Sequence, residues 1–172
     1  MPVLIVAAWG KDGVANAMNA AWGGISEECE ISICMGADHK TTENLLERGA
    51  FTVSMATADH IAECDYIGIV SGNDVPDKLA RCGFHAEAAE CVDAPVIREL
   101  PMALECRLKS YDPESCRLVG EIVNISAEEG VLTDGRIDPA KLRPITYDGF
   151  SNGYYVLGEK VGQAFADGER IK

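Results

Sequence analysis

The sequence predicts a mainly β protein, a β-barrel with a few short helices, on three observations. Apolar runs of strand length recur along the chain, beginning with residues 3–8. Turn signals such as Lys11-Asp12-Gly13 and Asp112-Pro113 punctuate them. The helical patterns are few and short, and closing the strands on themselves removes exposed edges that would otherwise template aggregation. A two-sheet sandwich would leave a similar pattern.

Residues 3–8 are apolar without interruption, as a strand buried on both faces would be. The Lys-Asp-Gly turn leads into 14–22, rich in Ala with Asn16 and Asn19 embedded, and the two runs read as a hairpin. Residues 31–35 form a third strand. Residues 40–47 predict a helix with Thr41 or Thr42 near its start, Leu45 and Leu46 on its buried side, and Gly49 as the stop. Residues 51–55 are a fourth strand. A helical pattern over 58–66 ends at Gly68, Ser71-Gly72-Asn73-Asp74 marks a loop, and a short helix over 76–82 stops at Gly83. Residues 96–97, 102–110 and 117–125 supply later strands, the last two joined through Asp112-Pro113. Beyond Asp138 the chain passes Pro139 and Pro144 into a Gly-rich segment, 149–168. No repeat and no long polar linker divides it, so 1–172 reads as a single domain.

Composition excludes several classes. The net charge is −13, and the 15 Lys and Arg are scattered, so the footprint of a nucleic-acid binder is missing and an anionic membrane would repel the chain. No stretch approaches the roughly 20 apolar residues that span a bilayer. The opening segment lacks a basic leader and reads as a strand entering a turn. Seven cysteines without C-x-x-C spacing, and three histidines apart from them, give no metal-ligand pattern. Reduced thiols in a cytoplasmic protein are the expectation. No G-x-G-x-x-G follows a strand, Glu159 stands where the lysine of a P-loop must be, and no G-x-S-x-G elbow occurs.

The informative segment is 16–77. Residues 16–22 (Asn-Ala-Met-Asn-Ala-Ala-Trp) set small and amide side chains on a strand that a flat ligand can approach, with amides free to bond its edge. Tight packing against another strand fits the same pattern. Met35-Gly36-Ala37-Asp38-His39-Lys40-Thr41-Thr42 then carries a strand end into a helix start with a lysine and two hydroxyls. Free N–H groups, the helix dipole and that charge suit a phosphate. An ordinary threonine cap with a surface lysine is the plainer alternative.

These motifs in this order resemble the flavin reductase-like proteins of the flavoredoxin type. The matching pieces are 16–22, Met35-Gly36, Lys40-x-Thr42, Phe51-Thr52-Val53-Ser54, Cys64-Asp65-Tyr66, Ser71-Gly72-Asn73-Asp74-Val75 with Asp77-Lys78, Ala94-Pro95 and Tyr155-x-x-Gly158. The resemblance implies an FMN-binding split β-barrel of Greek-key type with about six strands, working as a homodimer with FMN at the subunit interface. Asn16, Ala17, Met18, Asn19 and Trp22 would line the isoalloxazine beside Met35 and Gly36. Lys40 and Thr42 would hold the phosphate, Lys40 standing where the family commonly has Arg. Ser54, Cys64, Asp65 and Lys78 would approach the flavin or its tail, with Tyr154 and Tyr155 at the site's edge. The implied activity is that of an FMN-dependent oxidoreductase taking hydride from NAD(P)H, with no catalytic side chain because the chemistry is the flavin's. A flavoredoxin-type electron carrier between redox proteins is the alternative.

Overall fold

The computed structural model describes residues 1–171. β1 (Leu4–Trp9) is apolar throughout because it separates two cores: Leu4, Val6 and Ala8 enter one, Ile5 and Ala7 the other. β1 pairs antiparallel with β2 (Ala15–Ala20) on one side. β3 (Gly23–Glu27) pairs with β4 (Glu30–Cys34), and α1 (Lys40–Arg48) follows, ending at Gly49 with φ 68°. β5 (Ala50–Met55) pairs with the other side of β1. α2 (Ile61–Ile69) and α3 (Lys78–Arg81) come next, then the small hairpin of β6 (Ala86–Ala88) and β7 (Pro95–Ile97). The long strands β8 (Met102–Asp112) and β9 (Arg117–Ala127) join through the Asp112-Pro113 turn. Two two-residue strands, β10 (Leu132–Thr133) and β11 (Arg136–Ile137), precede α4 (Pro139–Leu142). A last hairpin holds β12 (Ile145–Asp148) and β13 (Gly153–Val156).

The main sheet has seven antiparallel strands in the order β2-β1-β5-β8-β9-β4-β3, one more than the resemblance implies. The added strand is β3, whose Gly-Gly-Ile-Ser-Glu has no apolar alternation to announce it. The two edges, β2 and β3, are consecutive in the chain and joined only by Ala21 and Trp22, so the sheet must curl until its edges meet. They do not pair. The Cys34 amide donating to the Trp22 carbonyl at 2.7 Å extends the β3–β4 ladder up to the connection, and the barrel stays split. Its interior is filled by Val6, Ile31, Ile33, Phe51, Val53, Leu118 and, from α1, Leu45. Gly120 lets Phe51 reach across, since a Cβ there would lie 2.3 Å from the ring.

The outer face of β1 and β2 carries the second core, where Cys64 and Ile67 of α2, Leu79 of α3, Phe84 and Ile97 cover Ile5, Ala7 and Ala17. The β12–β13 hairpin was not expected from the sequence. It docks on the chain start, where Tyr147 N–H donates to the Met1 carbonyl at 2.7 Å and the Met1 ammonium to the Tyr147 carbonyl at 2.9 Å. All seven cysteines are free; Cys64 and Cys106 are buried, and burial pushes both thiols up to about 12. Among the described residues, no helix is long and apolar enough to cross a membrane and no side chains group as metal ligands.

Candidate functional site

The edge strand β2 divides its side chains by strand alternation, and each set meets a different part of the chain. Asn16 and Met18 face a groove of about 260 Å³ between β2, the start of α1, and the end of α2. Thr41 donates to Asn16 Oδ1 at 2.8 Å, fixing the amide with its Nδ2 toward the 71–74 loop. Gly72 is required there: a Cβ would stand 2.1 Å from Asn16 Nδ2. Asn19 points the other way, donating to the Cys64 carbonyl at 3.1 Å, and Gly68 permits this because a Cβ would meet Asn19 at 2.2 Å. Beyond Gly68 and Ile69, which line both spaces, lies a second cleft of about 410 Å³ with Asn19, Asp65, Tyr147, Asn152 and Tyr154 in its walls.

The groove presents donors of the kind a small anion accepts from. α1 begins at its rim, and no side chain caps its first turn, so its free N–H groups and dipole are unspent. Lys40 lines the groove, its ammonium 3.1 Å from Glu43. Lys78 is buried (2 % exposed) and donates from Nζ to the carbonyls of Ile67 at 2.7 Å and Val70 at 2.8 Å, a cation on the C-terminal end of α2. Its third N–H has no partner among the described residues. Burial pushes this ammonium down to about 8, against a smaller opposing pull from the Cys82 sulfur. Asp38 is the contrary charge on the rim.

The predicted site residues divide accordingly. Asn16, Met18, Lys40 and Lys78 meet in the groove, and Asn19 and Asp65 in the adjoining cleft. Ala17 is fully buried in the outer core and lines neither space. Trp22 is 66 % exposed beside the seam, neither barrel core nor cleft wall. Met35 is buried inside the barrel, its carbonyl accepting from Tyr111, and Gly36 lets Asp38 fold back against the backbone. Thr42 is buried and its hydroxyl lacks a partner; Thr41, one residue earlier, is the one that lines the groove. Ser54 lies on β5, buried, and lines neither space. The Cys64 thiol is outer core, and only its carbonyl serves the site, through Asn19. Tyr155 is exposed on β13, whereas Tyr154 turns inward and donates to Asp65 Oδ1 at 2.6 Å. Tyr147 and Asn152, which carried no motif, complete the wall, Tyr147 donating to Asn152 Oδ1 at 2.7 Å.

The groove offers unspent helix N–H groups, a lysine with a free donor and an amide edge on a flat strand, and an orphaned buried hydroxyl at Thr42 lies one residue behind its lining. Those donors fit a phosphorylated ring system. Residues 1–148 match the model of the flavin reductase like domain. The structure is similar to that of flavoredoxin of Desulfovibrio vulgaris (Miyazaki F), at 34% identity and a TM-score of 0.93, covering 97% of this chain and 92% of that one. It is similar also to flavoredoxin from Methanosarcina acetivorans, at 28% identity and a TM-score of 0.91, covering 100% of this chain and 92% of that one. A protein of Aquifex aeolicus (strain VF5) is 26% identical over 111 residues, 61% of this chain and 55% of that protein's length. A mostly β curled sheet split at one seam, with an anion-ready groove beside it and a family match across most of its length, makes this chain a member of the flavin reductase-like family.

Proposed function

We propose that the chain, as one unit over 1–172, binds FMN non-covalently and acts as an oxidoreductase that accepts hydride from NAD(P)H. When bound, FMN supplies the hydride-accepting N5 of its ring and needs no catalytic side chain. The phosphate lies at the start of α1, held by the first-turn N–H groups and Lys40, while the Thr41 hydroxyl, spent on Asn16, orients that amide. The ring lies along Met18, with the Asn16 amide at its polar edge. Lys78 secures the end of α2, which forms the opposite rim, and directs its third N–H toward the groove. The single observation that carries the reading is the uncapped start of α1, opening beside two lysines into the groove that borders β2. Thr42, one turn-step further into the helix, assists only if its buried hydroxyl rotates to the anion.

The flavin reductase-like family and the flavoredoxin likeness both support a flavin. A homodimer with FMN at the subunit interface fits the large exposed apolar groups near the seam and clefts, Trp22, Ile25 and Ile69. A cytoplasmic location accords with seven free cysteines. The test is the visible spectrum of purified protein, with anaerobic addition of NADH or NADPH: flavin bands that bleach within seconds support the reading. Protein that is colourless and refuses added FMN ends it.

A second reading, an electron carrier of the flavoredoxin kind, is favoured by the net charge of −13, which suits docking on a basic redox protein. Flavin that a ferredoxin-like donor reduces and NAD(P)H does not would select it.

A further inference from the structure

The cleft beyond Gly68 has an electrostatic character of its own, opposite to that of the groove. Asp65 is the one charged side chain in its lining. Tyr154 donates to Asp65 Oδ1, and among the described residues Oδ2 has no partner. The rings of Tyr147 and Tyr154 stand 6.0 Å apart and tilted by 52°, and the Tyr147–Asn152 bond fixes the first of them. Asn19 gives one of its two N–H donors to the Cys64 carbonyl, and its own oxygen has no partner among the described residues. The Met1 ammonium sits on the Tyr147 carbonyl and does not line the space. Burial, followed by the bond to Asp65, pushes the Tyr154 phenol up to about 12, so the donor persists across neutral pH. The family match ends at residue 148, so Asn152 and Tyr154 come from a part of this chain beyond it.

Two tyrosine rings, a fixed carboxylate and free acceptor oxygens make a surface that attracts a flat cation, tolerates a flat neutral ring and repels an anion. We propose that this cleft is a second binding site, for a planar ring that is cationic or neutral, and that Asp65 selects against anionic rings. In turnover, which rests on the flavin reading, the cleft is where a second substrate stands beside the cofactor. Binding itself does not depend on that reading.

The test is a charge series on one ring: benzamidine, benzamide and benzoate, titrated into the full chain with and without FMN by calorimetry and ligand-observed NMR. Benzamidine is expected to bind about tenfold or more tightly than benzoate, with benzamide between. Asp65→Asn is expected to bring the three within about threefold of one another. Tyr154→Phe leaves the carboxylate charged with both oxygens free and is expected to keep or widen the same order, a second check should Asp65→Asn misfold. Contacts from the ligand to tyrosine ring protons are expected in the wild type. Benzoate binding as well as benzamidine overturns the proposal. So does a preference that survives Asp65→Asn, which would assign it to the overall charge. Ring selectivity without FMN binding removes only the flavin reading; FMN binding without ring selectivity removes only this one.

Discussion

Lys78 brings a buried cation, a helix end and a ligand groove together at one atom. Its ammonium is favoured by two carbonyls and disfavoured by burial, and burial prevails, leaving it titrating at about 8. Between there and the ordinary value of 10.5 the unfolded chain holds the proton more tightly than the folded one. This group therefore makes the fold more stable as pH rises through that window, while it makes the groove a poorer anion site. FMN affinity is expected to decline from pH 7 to 9, and Lys78→Met to remove most of that decline; flavin fluorescence titration measures both. Lys40→Glu replaces an attraction with a repulsion at the start of α1 and is expected to weaken FMN by about 2 kcal/mol or more, roughly thirtyfold in Kd. At this scale the sequence told residue types better than directions. Lys40 and Asn16 were legible because a charge or an amide at an element's end has few other uses. Thr41 and Thr42 are chemically alike, and only the packing of α1 on β2 decides which hydroxyl reaches Asn16. Tyr154 and Tyr155 differ only by strand alternation on a hairpin whose register no local pattern announced.

At the scale of elements, two glycines set how closely α2 and its loop approach β2. Gly68→Ala would drive a methyl into the Asn19 amide and break its bond to Cys64. The expected cost is about 1–3 kcal/mol, read as a lower Tm, with loss of ligand from both spaces that Gly68 lines. Gly120→Ala, in the barrel interior against Phe51, is expected to cost a similar amount while leaving the clefts intact. Comparing the two separates stability from binding. Most elements were legible: 3–8 showed double burial by its unbroken apolar run, and Gly49 and Gly83 ended their helices as expected. β3 was not legible because a half-exposed strand of glycines and polar residues carries no period of two, and the β12–β13 hairpin because its four-residue strands are too short to display one.

For the whole molecule, the order β2-β1-β5-β8-β9-β4-β3 places the two free edges side by side, so the groove is a consequence of topology as much as of side chains. The barrel class followed from strand count and short helices, but where its seam opens depended on which strands lie at the edges, which no local window contains. Val161 and Phe165 stand fully exposed on the segment after β13. A second copy covering them is expected to make the protein sediment as a dimer, and removing residues 158–172 to shift it toward monomer. The buried thiols extend this view to unfolding. Cys64 belongs to the outer layer and Cys106 to the barrel interior, while Cys29, Cys34 and Cys91 are open to solvent. Timed alkylation followed by peptide mass mapping would thus read two clocks in one molecule. Equal rates at Cys64 and Cys106 would mean that both layers come apart together; an earlier Cys64 would mean that the helical coat peels from an intact barrel.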